Sequence, residues 1–151
     1  ENGHTDVAYE LLFQEQNPSW LYSVNHGATT IWEHWNGIKE DGSFWSRDMN
    51  SFNHYAYGAV YDWIFGKAVG IEPMENAPAY REITLAPHPD RRLGFADGSI
   101  DTTFGTIRSY WYYKDDVVYY EFTIPQGVTA HLTLPSGRTE TLIEGTYHFA
   151  E

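Results

Sequence analysis

The 151-residue sequence contains no cysteine. A chain without thiols forms no disulfide, no thiolate metal site and no cysteine nucleophile. The absence does not identify the compartment, because both cytoplasmic and exported proteins can lack cysteine.

Basic residues are also scarce, with 9 Lys and Arg against 21 Asp and Glu and a formal net charge of −12. Nucleic-acid binding needs clustered Lys and Arg to neutralise phosphates, so we expect no nucleic-acid partner. The same charge disfavours an anionic membrane surface and a polyanionic substrate. A neutral substrate is compatible with it.

Several familiar motifs are missing as well. No apolar run approaches the roughly 20 residues of a membrane span, so we expect a soluble protein, whether cytoplasmic or exported. There is no glycine-rich phosphate loop and no G-x-S-x-G elbow. His26, Glu33 and His34 are conceivable metal ligands, but compact zinc spacing is absent. We therefore expect neither a metal nor a cofactor.

Aromatic residues are abundant, at 17% of a chain that is 42% hydrophobic. Such a composition can bury a core and argues against disorder. Large rings commonly serve as core and strand residues. They can also bind sugars, because an aromatic face stacks against the C–H face of a sugar ring. Composition alone favours the core and strand role.

Helical spacing dominates the first half. The segment TDVAYELLFQ (5–14) repeats apolar residues on one face and predicts a helix with Thr5 as N-cap. Pro18 is expected to open a second helix over 18–25, closed by His26 and Gly27. A third helix is predicted over 52–69, capped by Asn50 or Ser51 and ended by Gly70. Because that helix is apolar or aromatic nearly all round, it is expected to be buried.

The second half has the pattern of short strands. Strand candidates lie in YREITLAP (80–87), TIRSYWYY (106–113), 118–124, AHLTL (130–134), TETLI (139–143) and TYHF (146–149). Turns are expected at 115–116, 125–127 and 135–137. Short strands with regular turns indicate an antiparallel sandwich. Three helices cannot shield one another in so short a segment, so we expect their cover from upstream chain, a partner or the sandwich.

Between the second and third helices, residues 27–50 form a long irregular region with three Trp. Such long loops are usually functional or disordered, and the Trp residues argue against disorder. Glu33 lies between two of them, in TTIWEHW. The rings would desolvate its carboxylate and bind a sugar nearby, which suits proton transfer. The alternative is that Glu33 caps a helix or pairs with an Arg.

A second candidate is His54, in NSFNHY at the expected start of the third helix. The positive end of a helix dipole favours a neutral imidazole, which both donates and accepts hydrogen bonds to hydroxyl groups. The alternative is an ordinary core or surface histidine.

These segments resemble a known family, the bacterial α-L-rhamnosidases of glycoside hydrolase family 78. The resemblance rests on GHTDVAYELL (3–12), NPSWLY (17–22), HGATTIWEHW (26–35), MNSFNHYAYG (49–58) and YREITLAPHP (80–89). It is specific in 26–35 and 49–58, and weak after about residue 125.

The resemblance implies a fold of the α+β class. Residues 1–76 would be the last helices of an (α/α)6 barrel, the six-hairpin catalytic domain, and 77–151 a C-terminal antiparallel β-sandwich. The chain would then be a C-terminal fragment, which needs the upstream part of the same enzyme and can self-associate through uncovered helices.

The resemblance also implies a mechanism, the hydrolysis of terminal α-L-rhamnose from glycosides or oligosaccharides with inversion. Glu33 matches the general base that activates water, and His54 matches a residue that hydrogen-bonds rhamnose. The general acid belongs to an upstream motif that is absent here, so the chain alone is expected to be inactive. His34 departs from the family, where Arg is more usual, which puts the environment of the base in question.

Other functions remain open at this stage. A non-catalytic carbohydrate-binding module would bind sugar through exposed Trp or Tyr of residues 104–124. A structural sandwich would neither bind nor catalyse. A different (α/α)6 hydrolase would share the fold but not the substrate.

Overall fold

A computed structural model describes residues 3–151. The chain divides into two compact units, the first ending at Val60 and the second comprising Tyr61–Glu151. No helix within residues 3–151 has the length and apolar character needed to cross a membrane.

Two helices of the first unit, α1 (Thr5–Leu12) and α2 (Trp20–Asn25), are present as predicted, but both start differently and α1 ends at Leu12 rather than at Gln14. His4 rather than Thr5 occupies the N-cap of α1, and no side chain caps that helix. Pro18 does not open α2. Ser19 precedes it with an extended backbone, and its Oγ accepts a hydrogen bond from the Tyr22 amide at 2.9 Å. That bond satisfies an amide left unpaired by the first turn, so the helix starts after the serine.

The predicted third helix begins four residues late. Its helical segment, residues 56–69, consists of a 3-10 turn Ala56–Ala59, one α-helical turn α3 (Val60–Trp63) and a wider π-type stretch Ile64–Val69. Of the two expected caps, Asn50 is engaged elsewhere, because its side chain forms hydrogen bonds with the backbone of Ser46. Gly70 ends the segment with a left-handed backbone, as predicted.

Burial of this segment is also only partly as expected. Gly66, Ala68 and Val69 are buried, but Tyr61 is 66% exposed. The prediction of a helix buried on all sides is therefore wrong for its first turns within the described chain.

The second unit contains a β-sandwich of two four-stranded sheets. The strands are β1 (Ile71–Pro73), β2 (Glu82–Leu85), β3 (Phe95–Thr102), β4 (Gly105–Lys114), β5 (Val117–Ile124), β6 (Thr129–Thr133), β7 (Thr139–Leu142) and β8 (Gly145–Ala150). One sheet has the order β1-β2-β6-β7 and the other β3-β4-β5-β8. All pairs are antiparallel except β2 with β6, which is parallel. Sequence analysis missed β1 and β3.

The core of the sandwich lies between the inner faces of the two sheets. Alternate residues of β5 are buried, as the period-two pattern predicts. From β4, Trp111 and Ile107 are fully buried and meet Ile83 and Leu85 of β2 in one cluster. Each fully buried side chain of this kind contributes about 1.5–3 kcal/mol relative to exposure.

Candidate active site

Two irregular segments, residues 30–33 and 51–54, run side by side in the first unit. The Glu33 amide donates to the Ser51 carbonyl at 3.0 Å, and the His54 amide donates to the Ile31 carbonyl at 2.8 Å. The Thr30 hydroxyl donates to the Phe52 carbonyl. These bonds occupy the backbone that would otherwise start the third helix, and they bring the Glu33 and His54 segments together.

Aromatic rings frame this pair of segments. Trp32 is 5% exposed and meets Phe52 edge to face, with ring centroids 5.2 Å apart. On the other side of Glu33, Trp35 stacks on Tyr57 at 3.9 Å. The Trp20 indole contacts Trp35 and donates to the Tyr57 carbonyl at 2.9 Å. Because Trp32 and Trp35 are each held by further rings, the backbone around Glu33 is tightly fixed.

The Glu33 side chain is half-buried, and its carboxylate has no hydrogen bond or ion pair among residues 3–151. It neither caps a helix nor pairs with an arginine there, so neither alternative role that the sequence allowed for Glu33 is seen. An unengaged, half-buried carboxylate is able to accept a proton from water.

His34, the residue that departs from the family pattern, stacks on Trp45 with ring centroids 3.7 Å apart. The rest of the loop is held by backbone bonds, including Trp45 to Gly37 at 2.9 Å and an isolated bridge between Ile38 and Phe44. At the tip, hydrogen bonds from Ser43 lower the pKa of Asp41.

His54 lies two residues before the helical segment and is half-buried. Its Nδ1 accepts a hydrogen bond of 3.5 Å from the Ala56 amide. An imidazole that accepts at Nδ1 carries its proton on Nε2, which is then a donor to a ligand hydroxyl. The ring is parallel to that of Tyr55, which is 89% exposed.

Two cavities adjoin these segments. One, of about 310 Å³, has a lining of nine residues that includes Trp20, Trp35 and Tyr57. The other, of about 810 Å³, is lined by Thr30, Ile31, Asn53, Tyr55, Ala56, Gly58 and Ala59. Neither lining includes Glu33 or His54, although Ile31 lies two residues before Glu33 and Asn53 directly precedes His54. Sequence analysis missed Trp20 and Tyr57, because their contact with the loop appears only once the chain is folded.

No group of three or more metal-ligating side chains lies together within residues 3–151.

Two protein families match this chain. Residues 1–68 match the family described as the bacterial alpha-L-rhamnosidase 6 hairpin glycosidase domain. Residues 70–149 match the bacterial alpha-L-rhamnosidase C-terminal domain, which extends the resemblance well past residue 125.

Individual relatives agree with this assignment. An alpha-L-rhamnosidase of Formosa agariphila is 40% identical over 142 residues, which make up 94% of this chain and 15% of that protein. One of Streptomyces avermitilis is 35% identical over 153 residues, covering 100% of this chain and 15% of the relative. The chain thus spans about 15% of the length of these curated relatives, as expected for a C-terminal fragment.

Solved structures give the same result. The Streptomyces avermitilis alpha-L-rhamnosidase complexed with L-rhamnose superposes with a TM-score of 0.90 and 32% identity, over 99% of this chain and 16% of that one. The alpha-L-rhamnosidase of Aspergillus terreus gives a TM-score of 0.91 and 30% identity, over 98% of this chain and 17% of that one. The predicted fold class is confirmed. The chain belongs to the bacterial α-L-rhamnosidase family, of which it carries part of the six-hairpin glycosidase domain and the C-terminal β-sandwich.

Proposed function

We propose that this chain is part of an enzyme that hydrolyses terminal α-L-rhamnose from glycosides with inversion, and that Glu33 is its general base. In an inverting enzyme one carboxylate activates a water molecule, and a protonated carboxyl on the opposite side of the ring protonates the leaving oxygen. The two groups stand roughly 6.5–9.5 Å apart to admit that water. The general acid would come from a more N-terminal part of the parent enzyme.

The observation that carries the proposal is the pairing of residues 30–33 with 51–54. The bonds from Glu33 to Ser51 and from His54 to Ile31 hold a free carboxylate and an imidazole on neighbouring segments. The aromatic rings around them offer faces for a sugar and limit water around the carboxylate. A relative 32% identical to this chain was solved with L-rhamnose, which supports rhamnose as the sugar.

The division of the chain at residues 76 and 77, into the end of the barrel domain and the sandwich, is part of the same proposal. It is supported by the change from helical to strand patterning. The short strand β1 (Ile71–Pro73) pairs with β2 in the sandwich although it precedes that boundary, so one strand of the sandwich lies before residue 77.

The test is the isosteric substitution Glu33→Gln in the full-length enzyme. Loss of a general base typically reduces turnover by about 10²–10⁴-fold, and we expect a fall of that size with an aryl α-L-rhamnoside. Glu40→Gln is the matched control, because Glu40 is an exposed glutamate of the same loop. Near-normal turnover of the Glu33 variant would contradict the base role. Proton NMR of the first product should show the β anomer of rhamnose, and release of the α anomer would contradict inversion.

His54→Ala tests the proposed sugar contact. Loss of one hydrogen bond to an uncharged hydroxyl costs about 0.5–1.5 kcal/mol, so the inhibition constant of free L-rhamnose should rise by roughly 2–10-fold. His131→Ala is the control, because its ring lies on the sandwich, 44% exposed and near Glu82. An unchanged inhibition constant in the His54 variant would remove that residue from the sugar site.

A further inference from the structure

The outer face of the second sheet, β3-β4-β5-β8, carries three rows of side chains set by the strand register. One row runs across all four strands through Phe95, Tyr112, Tyr119 and Ala150. The next runs through Asp97, Tyr110, Glu121 and His148. The third runs through Ser99, Arg108, Thr123 and Thr146. This surface, called here the tyrosine face, points away from the core of the sandwich.

The rings of the tyrosine face stand parallel and close. Tyr112 and Tyr119 stack with centroids 5.3 Å apart and planes 13° apart. Tyr110 stacks against Tyr112, also at 5.3 Å. Phe95 extends the row onto the edge strand and is 60% exposed. The stack holds each ring in one orientation, so a ligand that binds to it orders little more of the protein.

Ionic groups beside the rings are locked in the same way. The Arg108 guanidinium forms two bonds of 2.8 Å to Asp97 and one of 2.5 Å to Glu121. It also lies over the Tyr110 ring, 5.1 Å from its centroid. The second oxygen of Glu121 is 3.8 Å from His148 Nδ1. One arginine and two carboxylates leave a net charge of −1, which disfavours an anionic ligand and is compatible with an uncharged one.

One end of the stack is open. On β8 the residue opposite Tyr119 is Ala150, whose methyl group is too small to cover the face of a tyrosine ring. Glu121 and the exposed His148 border the same spot from the next row. The result is a flat aromatic surface with an acceptor and an imidazole beside it.

Cross-strand aromatic pairs stabilise sheets on their own account. That role explains the contact of Tyr112 with Tyr119, but it explains neither the small residue at the end of the row nor the adjoining polar groups. An aromatic face flanked by a few fixed polar groups matches a small polar ligand that has an apolar side. A pyranose ring has that character, because one of its faces presents C–H groups and its rim presents hydroxyls.

We propose that the tyrosine face is a second saccharide site, where a neutral pyranose stacks on Tyr119 and its hydroxyls bond to Glu121 and His148. This site is separate from Glu33 and His54, and it does not depend on the function proposed for them. It would hold a sugar residue of a carbohydrate chain without cleaving it.

Saturation-transfer NMR on the full-length protein tests the proposal, with L-rhamnose, D-galactose and D-glucose as probes. The protein should carry His54→Ala, so that binding at the proposed catalytic site contributes less. A single stacked ring with two hydroxyl bonds should give a dissociation constant on the order of 1 mM for at least one probe. Tyr119→Ala should weaken that binding at least tenfold.

A second variant guards against simple loss of folding. Ala150→Leu keeps every ring and covers the open face of Tyr119, and it should also weaken binding at least tenfold. Tyr61→Ala is the matched control, because Tyr61 is 66% exposed but lies outside the tyrosine face. This variant should bind the sugar probe with an unchanged dissociation constant. Without the His54 substitution, Tyr119→Ala should leave the turnover of a small aryl rhamnoside unaltered, which separates this site from the catalytic one. No saturation transfer to any probe, or binding that survives Ala150→Leu, overturns the proposal.

Discussion

At Gly70 the chain turns from the helical segment into β1 with a φ of +89°. A Cβ placed there would lie 2.3 Å from the backbone nitrogen of Pro87. Glycine is therefore required twice, once by the left-handed backbone and once by the close passage of another stretch of chain. The sequence predicted the first reason from the position of Gly70 after an apolar helix, but not the second, because Pro87 is distant in sequence.

Gly70→Ala should consequently destabilise the sandwich by more than the roughly 1–3 kcal/mol typical of left-handed strain. Gly94→Ala is a matched comparison, because Gly94 has a φ of +78° and open space around its Cα. Gly94→Ala should lower the free energy of unfolding only by the amount that the left-handed backbone strain costs. Hydrogen exchange of the β4 and β5 amides reads the local free energy of unfolding. Equal losses in the two variants would refute the steric part of this account.

At the scale of elements, the end of the helical segment is held by β4. The Ser109 hydroxyl donates to the Val69 carbonyl at 2.6 Å, and the Trp111 indole donates to the Ala68 carbonyl at 2.7 Å. The last carbonyls of a helix have no partner within it, and here they are buried. The strand supplies the missing donors from two alternate, inward-facing residues.

Ser109→Ala should then cost about 1–3 kcal/mol, because it leaves the Val69 carbonyl buried without this donor. Ser99→Ala, on an exposed position of β3, should stay within about 0.5 kcal/mol. Urea unfolding followed by the protection of the sandwich amides would compare the two. A cost for Ser109→Ala no larger than for Ser99→Ala would mean that the hydroxyl is not needed to hold the helix end.

The elements that sequence could predict are those whose pattern is local. Alternation in β5 and the turns at Gly127 and Gly137 are confirmed, because burial and backbone handedness follow from neighbouring residues. Strand β3 was missed because FADGSIDT is polar and lies at the edge of its sheet. The start of the third helix was wrong because pairing with residues 31–33 decided it. For the candidate site, local sequence singled out Glu33 between two Trp and His54 near an expected helix start. The family resemblance then assigned their roles, which stay predictions.

At the scale of the whole molecule, apolar side chains remain uncovered in the first unit. Val7 is 54% exposed, Leu11 48% and Val24 55%. The sequence prediction that the helices cannot shield one another agrees with these exposures. Apolar surface of this kind favours association, although the net charge of −12 opposes it.

The 151-residue chain alone should therefore self-associate. It should also be inactive on an aryl rhamnoside, because the proposed general acid belongs to the upstream part of the parent enzyme. Light scattering should detect species larger than the 17.4 kDa monomer. Replacing Val7 and Leu11 together by Lys should reduce that association, whereas Ile143→Lys, at an exposed residue of the second unit, should not. Release of rhamnose at an enzyme-like rate would contradict the need for upstream residues.

The backbone bonds at Ser51 and Ile31 close the base of a loop, and Ile38 and Phe44 tie that loop to the rest of the first unit through Tyr22 and Phe52. Residues 39–43 at the tip close on themselves, because the Lys39 amide donates to the Ser43 carbonyl and the Gly42 amide to the Lys39 carbonyl. A change of sequence within that tip would therefore alter the outer surface of the loop without moving the backbone that carries Glu33 and His54.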